Sequence, residues 1–303
     1  MTLAAFLTRT VVFCVVCALF AVSESFVRAR VLMRRTPRLS AVLMKPVRML
    51  LTQICVPQNS APFVFFVLPA AAFTGVLFAF AGAVSQGGDL FDAAFAVCGA
   101  ALAFALCGMV SSSRFALIGA VRSLSRLCAV LSVFPVLAAA LAVSARSADF
   151  TAIQNAQKHV WFIVPHFPLF LIYMAGTLAL TRICGGGGER EIARGVETEY
   201  TGAPYFVLRL TRLLMTVFAC VVGAYLFLGG DLPLFSLFKE SGGVWLTVKS
   251  AVLFALIGAA RETVPPMKTG AFVKTVLTRV LPFCLFWLFA SAGVCLLLTE
   301  KMP

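Results

Sequence analysis

The 303-residue chain is 61% hydrophobic and 12% charged, with a mean hydropathy of +1.00. A soluble globular domain carries about a quarter charged residues, so this composition excludes one and indicates a polytopic membrane protein. The net charge of +13 reflects 25 Lys and Arg against 12 Asp and Glu, but the cations fall in loops between apolar runs, which favours membrane topology over nucleic-acid binding.

Apolar runs long enough to cross a bilayer occur eight times, at about 3–22, 61–84, 92–110, 127–145, 160–180, 205–228, 244–260 and 281–298. Each must be helical, because the bilayer core offers no water to the backbone. The expected fold is therefore all-α, a single integral membrane domain over 1–303. The first run is nearly twice as long as the apolar part of a signal peptide and no small-residue cleavage site follows, so a retained span is expected.

Glu24 follows that span. The loop over 23–60 is predicted to hold a short amphipathic helix near 39–53, with Leu39, Val42, Leu43, Val47, Leu50 and Leu51 on one side. Such a helix lies in the plane of the membrane interface. Pro69, Pro135, Pro165 and Pro168 fall inside predicted spans and imply kinks or opened turns. Arg122 and Arg126 precede the fourth span. His159 and His166 stand alone, and packing is the expected role of His166, which has no acidic neighbour in sequence.

Gly185-Gly186-Gly187-Gly188 lacks the Gly-Lys-[Ser/Thr] and the preceding strand of a phosphate-binding loop and reads as a linker. The stretch that follows, from Glu189 to Gly202, is a polar island between two apolar runs. It carries the carboxylates of Glu189, Glu191, Glu197 and Glu199, the guanidinia of Arg190 and Arg194, and Tyr200. Such a segment must face water, a partner subunit or a polar cavity. Arg209 and Arg212 share one helix face at the start of the sixth span. Charges at that depth are costly without a cavity or a counter-charge, and Glu197, Glu199 and Glu24 are the available partners.

Charge alternates between loops. The first, third, fifth and seventh hold seventeen Lys and Arg, among them Arg34 and Arg261, while the opposite side has five. The positive-inside rule places the odd loops in the cytoplasm or matrix and both termini on the periplasmic or intermembrane-space side. An integral protein with one elaborated face is expected to be a platform for a docked partner.

Most of the ten cysteines lie inside apolar runs, as small hydrophobes. Cys14 and Cys17 have CxxC spacing but no second pair or His cluster. No Ser, His and Asp are grouped, and no carboxylate pair lies within a span. The chain is expected to hold no catalytic nucleophile and no metal of its own. No inverted internal repeat of the kind found in many transporters is evident.

Five ordered segments carry a resemblance. Glu24 with Arg34-Arg35 and Pro37 is similar to an E-R-[KR]…R-[KR]-G-P segment, with Thr36 in place of Gly. Ser111-Ser112-Ser113-Arg114-Phe115-Ala116-Leu117-Ile118-Gly119-Ala120-Val121-Arg122 is similar to S-N-x-[KR]-[YF]-A-L-[IL]-G-A-x-R. The island is similar to E-x-E-L-x-x-G-x-x-x-E-Y-S-G, Leu226-Phe227-Leu228-Gly229-Gly230 to F-L-G-G, and Arg261-Glu262-Thr263-Val264-Pro265 to R-x-[ST]-[LFV]-P. Collinear over most of the chain, they resemble the quinone-chamber membrane subunit of respiratory complex I, the NADH:ubiquinone oxidoreductase chain 1 family.

The resemblance implies eight spans, anchoring of the hydrophilic arm on the matrix or cytoplasmic face, and a part in the ubiquinone chamber that couples quinone reduction by NADH to proton translocation. It makes ubiquinone the substrate and places FMN and iron–sulfur clusters in partner subunits. The expected partners are the hydrophilic quinone-module subunits, neighbouring membrane-arm subunits and lipids, with no nucleic acid. The quinone-chamber and proton-coupling candidates are Glu24, Arg34, Arg122, Glu189, Glu191, Glu197, Glu199, Tyr200, Arg212 and Arg261. Several family acids are missing: Leu131 stands where a glutamate is usual, Arg182 to Gly187 replaces a segment with an Asp and a Glu, and Arg212 reverses an acidic position. Coupling is then expected to run through Glu24, Glu189, Glu191, Glu197 and Glu199, or through partners. The many Cys and Phe point to an organellar copy, in the mitochondrial inner membrane, with the bacterial plasma membrane as alternative. A membrane anchor of an energy-converting hydrogenase, or a stand-alone transporter, are the other readings.

Overall fold

The computed structural model describes residues 19–57, 60–84, 88–158, 160–184, 196–233, 242–265 and 267–300. Helix α1 covers 19–31. It is followed by α2 (Leu39–Leu51), α3 (Pro62–Val84), α4 (Leu90–Val110), α5 (Arg114–Ala145), α6 (Phe150–Ala156) and α7 (Phe167–Cys184). Then come α8 (Gly202–Phe227), α9 (Gly242–Thr263), α10 (Thr269–Thr275), a π-helical segment (Val276–Val280) and α11 (Leu281–Glu300). Among the described residues the extended pairing is a single bridge between Asp89 and Asp149.

Six of these helices are long and apolar enough to cross a membrane: α3, α4, α5, α8, α9 and the continuous stretch Thr269–Cys295. The apolar part of α7, Phe167–Arg182, is shorter. The chain is thus an all-α, multi-pass membrane protein. The first predicted span falls mostly before residue 19, outside the described residues, and α1 continues from its end.

Helix α8 is the hub. Its apolar window is 78% buried against 11% for Thr269–Cys295, and it packs on α2, α3, α7 and α9. Lipid gives little hydrophobic drive between helices, so small residues that let backbones approach take over. Gly223 shows this: a Cβ there would lie 2.7 Å from the Tyr173 ring, whose hydroxyl donates to the Ala219 carbonyl at 2.6 Å.

Two elements begin elsewhere than expected. Helix α5 starts at Arg114, not near 127. Ala116, Gly119, Ala120 and Ser123 form a buried small-residue face over its first turns, and the Ser123 hydroxyl donates to the Gly119 and Ala120 carbonyls. A Cβ at Gly108 of α4 would meet the Ala116 carbonyl oxygen at 2.9 Å, so α4 and α5 touch here through backbone. Residues 162–166 form turns, and α7 starts at Phe167. Pro168 then lies in a first helical turn, where its missing N–H is no loss. Pro69 and Pro135 lie within α3 and α5 as expected.

Two helix C-termini are closed by distant side chains. The last carbonyls of a helix have no partner in their own helix. The buried Gln157 amide donates to the Tyr225 and Leu226 carbonyls of α8. Lys249, only 4% exposed, donates to Leu228, Gly230 and Leu232 carbonyls at 2.6, 3.0 and 2.7 Å and lies 5.0 Å from the centre of the Trp161 ring. At the opposite end of α9, Arg182 of α7 donates to the Arg261, Val264 and Pro265 carbonyls. His166 is packed, as expected: the Trp287 indole donates to its Nδ1 at 2.9 Å, and its Nε2 lies 3.1 Å from the Ser144 hydroxyl.

Candidate functional site

The end of α1, the turn after it, α2, α8 and α9 enclose a cavity of about 550 Å3. Helix α2 forms over Leu39–Leu51, inside the expected 39–53, but its apolar residues do not all share one side. Val42, which is buried, and the more exposed Leu43 line the cavity, while Leu39, Val47, Leu50 and Leu51 are exposed and lie outside the lining. Phe206, Leu213, Phe254 and Ile257 contribute apolar lining. Among the charged lining residues, one carboxylate, Glu24, stands with Arg28, Arg34, Arg35, Lys45, Arg209, Arg212 and Arg261.

Three of these cations are neutralised. Arg212 Nη1 donates to Glu197 Oε1 at 3.2 Å, with both side chains less than a fifth exposed. Arg261 Nη1 donates to Glu24 Oε1 at 3.1 Å. Arg28 Nε lies 3.2 Å from Glu262 Oε1. The last two pairs are crossed. Glu24 and Arg28 are one helical turn apart on α1, Arg261 and Glu262 are neighbours on α9, and each side supplies one acid and one base. Arg209 donates to the Tyr205 hydroxyl at 3.4 Å.

The polar island ends against the body of the protein. Tyr200 is buried and stacks on Phe65 of α3, ring centres 4.2 Å apart and 8° from parallel. Its hydroxyl donates to the Cys107 carbonyl at the end of α4. Burial pushes its pKa up, so the phenol stays protonated. Gly202 follows with φ +67 at a point where a Cβ would lie 2.8 Å from Ile54, and the Thr201 hydroxyl accepts from the Cys55 amide. These contacts fix where Glu197 meets Arg212.

The sequence-predicted residues therefore divide. Glu24, Arg34, Arg212 and Arg261 share the cavity lining, and Glu197 reaches it through Arg212. Tyr200 and the half-buried Glu199 stand apart from the lining residues. Arg122 is exposed on α5, away from the cavity. Glu189 and Glu191 lie outside the described residues. The Arg28–Glu262 pair and the contribution of Lys45 were missed. Their signal was the one-turn spacing of Glu24 and Arg28 beside an adjacent Arg-Glu in α9. Among the described residues no three His, Cys, Asp or Glu are grouped as metal ligands.

A chamber lined by both apolar and basic side chains suits a molecule with an apolar tail and a polar head. The paired arginines can donate hydrogen bonds to carbonyl oxygens of such a head, and their carboxylates can exchange protons with it.

The family described as NADH dehydrogenase matches residues 4–292 of the chain. An NADH-quinone oxidoreductase subunit of Granulibacter bethesdensis is 27% identical over 263 residues, covering 82% of this chain and 76% of that protein. The corresponding protein of Pelagibacter ubique is 28% identical over 192 residues, 61% of this chain and 58% of its own length. NADH-ubiquinone oxidoreductase chain 1 of Chondrus crispus is 27% identical over 195 residues, 62% of this chain and 60% of that protein. The matched part thus spans under two thirds of the latter two relatives.

Proposed function

Since the chain belongs to the NADH dehydrogenase family, we propose that it is the quinone-chamber membrane subunit of an NADH:quinone oxidoreductase, active only within the assembled enzyme. The observation that carries this reading is the cavity between α1, α2, α8 and α9, whose lining combines apolar side chains with Arg212 and Arg261, each paired to a carboxylate. In this reading a quinone reaches the cavity from the bilayer beside α2. Its isoprenoid tail lies against Phe206, Leu213, Phe254 and Ile257, and its head approaches Arg212 and Arg261.

The basic loops anchor a hydrophilic arm whose subunits hold the FMN and iron–sulfur clusters. Electrons arrive from that arm, and this chain binds and orients the quinone. Glu24 and Glu197 are the carboxylates placed to exchange protons as the head group is reduced, with Glu189, Glu191 and Glu199 continuing the route. Arg122, exposed on α5, and Arg34, at the cavity's edge, serve the docked arm or the chamber rim. The membrane is the mitochondrial inner membrane or a bacterial plasma membrane.

A gentle-detergent pull-down tests this, with partner identification and an NADH:quinone assay on the same sample. Flavin and iron–sulfur subunits with quinone reduction are the expected result. Recovery of the chain alone, or with a nickel–iron hydrogenase, would overturn it in favour of a transporter or a hydrogenase anchor.

A further inference from the structure

Pairing leaves the cavity strongly positive. Glu24, Glu197 and Glu262 neutralise Arg261, Arg212 and Arg28. Arg34, Arg35 and Lys45 have no counter-charge among the described residues, and Arg209 contacts only the neutral Tyr205 hydroxyl there. Four unneutralised cations in one cavity lining raise the local potential and attract an anion.

The setting specifies which anion. These cations share the cavity lining with Val42 and Leu43 of α2, and the same helix leaves Leu39, Val47, Leu50 and Leu51 exposed outside the lining. Basic side chains beside an interfacial amphipathic helix match the phosphate of an anionic lipid, with acyl chains alongside apolar wall. A free phosphate would use the guanidinia but leave the apolar lining without an occupant. We infer that Arg34, Arg35, Lys45 and Arg209 hold the headgroup of an anionic phospholipid, with one acyl chain against the apolar lining by Val42 and Leu210. The lipid comes from the leaflet on the basic side. It sits at the rim of the chamber assigned above to quinone, but its binding is measured without any quinone chemistry, so either reading can fail alone.

The test is native mass spectrometry of the full chain, equilibrated in detergent with equal amounts of phosphatidylglycerol and phosphatidylcholine. Phosphatidylglycerol should be retained roughly tenfold over phosphatidylcholine, at one copy per chain. The preference should vanish in R34Q/R35Q/K45Q/R209Q. It should survive in R114Q/K268Q/K274Q/R279Q, which removes as much charge from positions outside the cavity. It should also survive in R34K/R35K/R209K, which guards against a folding defect. Equal loss in both glutamine variants would mean general surface attraction and overturn the site. Displacement of the lipid by millimolar inorganic phosphate would overturn it in favour of a free-phosphate site. Retention by the isolated chain but not by the assembled enzyme would mean that a partner's carboxylates occupy the place, and would overturn it too.

Discussion

The two ends of the α8–α9 pair keep charge inside an apolar structure by different means. At the basic end, Arg212 and Arg261 meet carboxylates from other segments beside a cavity, each pair through a contact of just over 3 Å. At the other end, Lys249 is buried and three backbone carbonyls hold it at 2.6–3.0 Å. A carboxylate partner can take a proton, and a ligand can replace it. A carbonyl partner can do neither. The first arrangement suits a site that must exchange something, and the second suits a fixed joint.

The largest expected effect comes from breaking the joint. Lys249→Ala leaves the Leu228, Gly230 and Leu232 carbonyls without their donor, and since each unsatisfied buried acceptor costs about 1–3 kcal/mol, a loss of about 3 kcal/mol or more is expected. A lowered unfolding temperature in detergent should show it, and an unchanged one would show that water replaces the ammonium. Gln157→Leu exposes fewer carbonyls, and about 2 kcal/mol is expected from the same measurement.

At the basic end the effects should be smaller and graded by exposure. A double-mutant cycle with R212Q and E197Q should give a coupling of about 1–2 kcal/mol, because the pair is mostly buried. The more open Arg261–Glu24 pair should give less than about 1 kcal/mol in the R261Q and E24Q cycle. If the Glu24 pair couples more strongly, the cavity is drier at α1 than the side-chain exposure indicates. In the assembled enzyme, R212Q should raise the quinone KM more than it lowers kcat.

The smallest effect is at the Asp89–Asp149 bridge between the loops before α4 and α6. Hydrogen bonding to Asp149 pushes the Asp89 carboxyl pKa up. A raised folded pKa favours folding at low pH, and that contribution is lost as pH rises through it. Asp149→Asn should therefore slow amide exchange at Leu90 and Phe150 at neutral pH, and the gain over the native chain should shrink as pH falls through the raised Asp89 pKa and be absent below about pH 4.

The sequence shows the parts with local signals. Hydropathy pointed to eight spans, of which six described helices are long and apolar enough to cross a membrane, and the apolar stripe from Leu39 to Leu51 placed α2 within two residues. Arg212 with Glu197 was legible as one of a few possible pairs, since 15 residues separate them. Arg261 with Glu24 was legible only as two interesting residues, because 237 positions lie between them. Arg114, Arg122 and Arg126 made the start of α5 look like loop, although the small residues between them pack it as helix. Lys249 showed only as a charge at or inside a span edge and Gln157 not at all, since what they satisfy is backbone, and any sequence offers carbonyls.

Gln157 and Lys249 also bear on synthesis. Both close the same end of α8, one from a residue made before that helix and one from a residue made after it. When Phe227 leaves the ribosome, the carbonyls that follow still lack the ammonium that will hold them. The cap on α8 is completed only after α9 has joined the membrane. The two helices are thus expected to commit to the bilayer as a unit, with the translocon or a water-filled channel serving the open carbonyls in the interval.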